Sequence, residues 1–153
     1  MGEPPPRPTE HGTCVLIDGA GVLLRGRPGA GKSDLALRLM DDGARLVADD
    51  RVELTARDGA VMARAPDPLK GLMEVGGIGL IRVDPERLAA EARLALVVDL
   101  VEADAVERLP APDSAELLGI ALPRIDLAPF EASAPIKLRL AVGQGAGVIM
   151  PQP

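Results

Sequence analysis

No tryptophan, tyrosine or asparagine occurs in this sequence, and Phe130, His11 and Cys14 are each the single residue of their type. Each scarcity excludes something. With one aromatic residue, any nucleotide base is expected to lie against aliphatic or arginine surfaces rather than on an aromatic shelf. A single cysteine forbids a disulfide within the chain, and its place before the apolar run Val15-Leu16-Ile17 marks Cys14 as a buried, inert thiol. The lack of asparagine rules out the Asn-Lys-x-Asp guanine reader of GTPases and the His-Arg-Asp...Asn catalytic loop of protein kinases in their usual form. A Ser-His-Asp hydrolase would hang on His11 alone, close to the chain's start. No apolar run reaches the roughly 18 residues of a membrane helix, and the proline-rich stretch Glu3 to Pro8 lacks the apolar centre of a signal peptide. The expected location is the cytoplasm, with no membrane partner. A net charge of -6 gives no general attraction to nucleic-acid phosphates, so nucleic acid is not an expected partner.

What is present fits one core in 153 residues. Residues 1–9 read as a disordered lead-in, 10–144 as a catalytic domain and 145–153, rich in Gly and Pro, as a flexible tail. Short apolar runs at Thr13 to Asp18 and Val22 to Arg25, split by Gly19-Ala20-Gly21, predict two strands on a tight turn. Leu35, Ala36, Leu39 and Met40 recur at helical spacing between Lys32 and Asp42, with Gly43 where a C-terminal cap belongs. Arg45 to Ala48 predicts a strand, and Val52 to Arg57 with Ala60 to Arg64 a hairpin on Asp58-Gly59. Leu72 to Val75 and Ile78 to Val83 read as strand segments with a bulge or close approach at Gly76-Gly77. Pro85 to Glu91 predicts a short helix, Leu94 to Val101 a buried strand, residues 105–112 a loop and Ile125 to Leu127 a final strand. Ser133 is placed as the cap of a helix through Leu140. The class is α/β with a mixed β-sheet.

Between the second strand and the first helix lies Gly26-Arg27-Pro28-Gly29-Ala30-Gly31-Lys32-Ser33. This is the complete Gly-x4-Gly-Lys-Ser pattern of a P-loop, whose backbone N–H groups and following helix start converge on phosphate oxygens. In that pattern Lys32 reaches the β and γ phosphates and Ser33 holds Mg²⁺ through its hydroxyl, so ATP and Mg²⁺ are the expected cofactors. Transfer of a phosphoryl group needs a carboxylate near the Mg²⁺ and an acceptor for a hydroxyl proton. Asp49, Asp50 and Glu74 are the candidates; the aspartate pair follows Leu46-Val47-Ala48 at a strand end, where such folds present catalytic side chains.

Three stretches in order resemble the bacterial HPr kinase/phosphorylase family. They are His11-Gly12, the loop Gly26 to Ser33 running on to Gly43-Ala44-Arg45-Leu46-Val47-Ala48-Asp49-Asp50, and Met73-Glu74-Val75-Gly76-Gly77-Ile78-Gly79-Leu80-Ile81. Together they cover about half the chain. The resemblance implies an ATP-dependent kinase acting on a serine of an HPr-like phosphocarrier protein, built on the P-loop fold shared with phosphoenolpyruvate carboxykinases. It implies Asp50 as proton acceptor in phosphorylation and donor in the reverse reaction, His11 and Lys32 as further catalytic positions, and Ser33 and Glu74 as Mg²⁺ ligands. The sequence departs from the family at Gly76, where the signature carries Arg, and across Pro129-Phe130-Glu131-Ala132-Ser133, where a Pro-x-Arg-Pro-Gly-Arg-like stretch is expected. Those losses point to weak or absent phosphorylase activity. A small-molecule kinase and a non-catalytic ATP-sensing module stay open as alternatives, as does assembly into a homo-oligomer.

Overall fold

The computed structural model describes residues 7–144, so the lead-in before residue 7 and the tail from 145 fall outside the described part. The elements run β1 (Thr9–His11), β2 (Thr13–Ile17), β3 (Ala20–Arg25), α1 (Lys32–Asp41), β4 (Arg45–Ala48), β5 (Arg51–Arg57), β6 (Ala60–Arg64), β7 (Leu72–Val75), β8 (Gly79–Arg82), β9 (Ala92–Leu100), β10 (Asp113–Leu117), β11 (Ile120–Leu127) and α2 (Ala134–Gln144). Except for the β7–β8 hairpin, the strands form one sheet in the order β1-β5-β6-β9-β3-β2-β4, with β11 also on β9 and β10 on β11. The pairs β3–β9 and β9–β11 are parallel and the others antiparallel. This is the expected mixed α/β class.

The sheet serves two cores. On one face Val22, Leu24, Leu96, Val98 and Leu100 pack against Leu35 and Leu39 of α1, Met73 of β7 and Leu138 of α2. On the other, Leu23 and Val97 pack with Val52 and Leu54 of β5, Val61 of β6 and, from the opposite edge of the same sheet, Val47 and Ala48 of β4, so the sheet curls over itself. Strand β9 supplies both faces by changing phase: Gly21 pairs with Leu94 but Val22 with Leu96, leaving Ala95 as an extra residue. Ala92 and Leu94 therefore share the curl-side core with Val97 instead of with Leu96.

Several expectations need correction. Strand β1 begins at Thr9, inside the stretch assigned to the lead-in, because its pairing with β5 captures it. Gly76-Gly77 lies in the turn of the β7–β8 hairpin rather than in a bulge. The Pro85 helix is only a 3-10 turn over Pro85–Arg87; Leu88 then goes extended, and the Ala89 amide donates to the Leu46 carbonyl at 2.9 Å. That bond to the edge of β4 outcompetes another helical turn. The last strand starts five residues before Ile125 and pairs with β10, a strand that the sequence pattern does not announce. Their turn uses Leu118 at φ 53°, a residue that does not advertise a left-handed conformation, and Pro123 argues against a strand. Pro123 is tolerated because pairing with β9 begins only at Arg124. Helix α2 runs on to Gln144, past Leu140.

Candidate functional site

Strand β3 delivers the chain to the glycine-rich loop from the sheet's centre, and α1 carries it away. Gly31 is the hinge, with φ 103°, and a Cβ there would come within 2.8 Å of the Phe130 ring. Only glycine meets both demands. The first amides of α1 have no acceptor within the helix, which gives this end its affinity for anions. Lys32 folds back along the loop, its Nζ donating to the carbonyls of Gly26 at 2.7 Å and Arg27 at 3.0 Å. It is thereby held at the loop's mouth.

Just past β4, Asp49 is 5% exposed and accepts from elements distant in sequence. The Ser33 hydroxyl donates to its Oδ1 at 2.8 Å, the Thr13 hydroxyl to the same oxygen at 2.9 Å, and the Glu74 amide to Oδ2 at 3.0 Å. Loop, sheet and β7 hairpin are tied together at one carboxyl group. None of these donors is a cation, and no Lys or Arg among the described residues pairs with Asp49. A buried acid beside a hydroxyl, with no cation in reach, suits a hard divalent ion. No group of three His, Cys, Asp or Glu side chains among the described residues forms a metal cage alone.

Asp50 turns the other way. Its backbone is left-handed at φ 71°, the Arg51 amide closes on the Asp49 carbonyl at 2.9 Å, and its side chain is exposed. The Asp50 carbonyl accepts from the Gly12 amide at 3.1 Å, and His11 pairs with Arg51 across β1 and β5. The backbone thus sets His11 and Asp50 close together, and Ser33 meets the Glu74 backbone around Asp49. Glu74 itself is exposed. Asp49 as the joint between these candidates is what sequence reasoning missed. Its only mark was a place beside Asp50 at a strand end.

A second charged group sits where β3, β9 and β11 end. Arg25 grips Asp99 with two hydrogen bonds, of 2.8 and 3.0 Å, and reaches Glu10 at 3.3 Å. Arg124 donates to Asp99 at 2.9 Å, Asp126 at 2.7 Å and Asp113 at 2.6 Å. Burial alone would push Asp99 up, but the hydrogen bonds and charges of Arg25 and Arg124 outweigh it and hold the carboxyl below its ordinary value. Arg124 is raised by Asp126, Asp113 and Asp99. A charged residue inside the apolar run Leu94 to Val101 was the available sign of this cluster. Cys14 is fully buried, its thiol pushed up to about 12 by burial, consistent with an inert role.

Beside the glycine-rich loop lies a cleft of about 870 Å³, walled by residues 26–30 on one side and by residues 100–103 and 128–131 on the other. Among the described residues no helix is long and apolar enough to cross a membrane.

Comparison with known proteins agrees across sequence and structure. An HPr kinase/phosphorylase of Bordetella pertussis is 39% identical over 131 residues, covering 80% of this chain and 42% of that protein. One from Limosilactobacillus reuteri is 53% identical over 79 residues, covering 51% of this chain and 25% of that protein. The chain therefore spans less than half the length of these curated relatives. The solved HPr(Ser) kinase/phosphatase of Coxiella burnetii superposes with a TM-score of 0.80 at 28% identity, over 90% of this chain and 89% of that one. A family model described as the HPr Serine kinase C-terminal domain matches residues 5–136, and the chain belongs to that family.

Proposed function

We propose that this protein is an ATP- and Mg²⁺-dependent serine kinase whose substrate is an HPr-like phosphocarrier protein, working in the cytoplasm on a P-loop fold of the phosphoenolpyruvate carboxykinase type. The observation that carries the reading is the Asp49 joint, which fixes the Ser33 hydroxyl beside the glycine-rich loop and brings the Glu74 strand to the same carboxyl group. The loop from Gly26 to Ser33 holds the triphosphate by its amides, and Lys32 swings from its carbonyl contacts to the β and γ phosphates. Ser33 and the carboxylates of Asp49 and Glu74 would hold Mg²⁺, which when bound neutralises charge on the β and γ oxygens. Asp50, exposed beside His11, takes the proton of the attacking serine hydroxyl as its oxygen bonds to the γ phosphorus. The bond from that phosphorus to the β–γ bridging oxygen breaks, and ADP leaves.

In the reverse direction inorganic phosphate would attack phosphoserine, and two anions must be held together by cations. Gly76 lies in an exposed turn and residues 129–133 offer no arginine. Arg124 is already committed to Asp99, Asp113 and Asp126, so it is a poor substitute. Phosphorylase activity is expected to be weak or absent, read as slow phosphate-dependent loss of label from the phosphorylated carrier. The direct test of the kinase is incubation with γ-labelled ATP, Mg²⁺ and a panel of HPr-type carriers, followed by mapping of the label. Label on a carrier serine supports the reading; label only on small molecules, or none with any carrier, overturns it.

A further inference from the structure

The scarcity of aromatics predicts a base resting on aliphatic or arginine surfaces, yet the structure sets the chain's one aromatic ring on the wall of the cleft that faces the glycine-rich loop. We infer that Phe130 is the shelf on which the purine base of the nucleotide lies. The inference rests on the reading of residues 26–33 as the phosphate cradle and adds the part of the site that the cradle lacks.

Phe130 is 69% exposed, an unfavourable position for a phenyl ring with no partner. Yet its backbone is firmly placed. Ala128 and Pro129 before it are buried, and the Pro129 carbonyl accepts a hydrogen bond from Arg38, a side chain that also donates to Asp34 at 3.1 Å on the first turn of α1. After it, the Ala134 amide donates to the Glu131 carbonyl at 3.1 Å and the Lys137 amide to the Ser133 carbonyl at 2.8 Å, which opens α2. The ring edge rests against Gly31, where a Cβ would stand 2.8 Å from its nearest carbon. So the ring is fastened to the helix that the loop opens, while much of it is left free. Phosphates held by the loop leave the nucleoside to extend into the adjoining cleft, whose volume of about 870 Å³ suits a small organic ligand. Stacking needs only a π face, so this contact favours a base over none without choosing between purines by hydrogen bonds.

The test uses the absence of tryptophan, which makes a Phe130→Trp variant a single-fluorophore reporter. Affinities for ATP and for inorganic tripolyphosphate are measured with Mg²⁺ for the unaltered protein, Phe130→Ala and Phe130→Trp. Loss of a base stack predicts that Phe130→Ala weakens ATP by about 5- to 100-fold while leaving tripolyphosphate unchanged. Phe130→Trp restores ATP binding, and its emission shifts with ATP but not with tripolyphosphate. Equal losses for both ligands, no loss for either, or a tryptophan blind to ATP overturns the shelf. If the unaltered protein binds tripolyphosphate and ATP, the cradle stands whatever Phe130 does; if it binds neither, the cradle reading falls and the shelf with it.

Discussion

Two acidic strand ends flank the glycine-rich loop, and they are partnered in opposite ways. At the end of β4, Asp49 is buried among two hydroxyls and an amide, with exposed Asp50 beside it. Near the end of β9, Asp99 is gripped by two arginines. Neutral donors fix the position of a carboxyl group and leave its charge uncompensated, so the β4 end keeps an appetite for a cation. Two arginines hold Asp99 by charge as well as by geometry, so at the β9 end that carboxyl acts as a clasp between β3 and its neighbours. Equal residue types at matching strand ends thus differ in their partners, and on the proposed function the donors separate a binding role at β4 from a structural role at β9.

The largest effect is expected at the exposed member of the β4 pair. Asp50→Asn should lower turnover by about 10²- to 10⁴-fold with ATP affinity within a few-fold, since an amide occupies the place but cannot take the serine proton. Single-turnover transfer from labelled ATP measures it; an undiminished rate would break the division of labour between Asp49 and Asp50. Next comes Asp49→Asn. The amide can turn so that its oxygen still meets the Glu74 N–H while its NH₂ faces the hydroxyls, which rotate to accept; the shape survives but the charge and the free Ser33 oxygen are lost. A drop of about 10- to 100-fold in apparent Mg²⁺ affinity is expected, with little change in melting temperature. A Mg²⁺ titration of activity beside a thermal melt separates the two.

Asp99→Asn should do the reverse: stability falls by about 1 to 2 kcal/mol while turnover per folded molecule stays near normal. The pH dependence carries the sign. Asp99 is held below its ordinary value of 3.8, so its contribution is complete above that value and disappears as the pH falls through the lowered native one. Urea midpoints of the two proteins should therefore differ at pH 7 and draw together as the pH falls below 3.8 and through the lowered native value. A difference that grew on acidification would mean that the arginines do not set the carboxyl's titration.

Much of the fold was legible because its marks are local. The spacing of Leu35, Ala36, Leu39 and Met40 announces α1. Asp58-Gly59, both at positive φ, announces the β5–β6 hairpin. The Gly-x4-Gly-Lys-Ser pattern places the loop without help from elsewhere. The losses were long-range. β10 and β11 turn on Leu118-Gly119, where leucine gives no sign of the left-handed backbone that the hairpin imposes. The helix expected at Pro85 yielded to a backbone bond from Ala89 to the carbonyl of Leu46, over forty residues earlier, which no window of sequence contains. At the site, the residue types were legible but not their division. Asp49 and Asp50 are adjacent and identical, and only the turn between β4 and β5 buries one and exposes the other.

The branching of the sheet at β9 also dictates a timetable. Hairpins such as β2–β3 and β5–β6 join neighbours in sequence and close early, whereas Arg25 finds Asp99 only across 74 residues. During synthesis the glycine-rich loop leaves the ribosome long before the strand that braces it, and Phe130 arrives later still. Until β9 is in place the loop hangs from an unfinished half-sheet whose free β3 edge is open to wrong partners. Completion of β9 is therefore the moment at which that edge is covered, while the cleft beside the loop gains its second wall only when residues 128–131 follow.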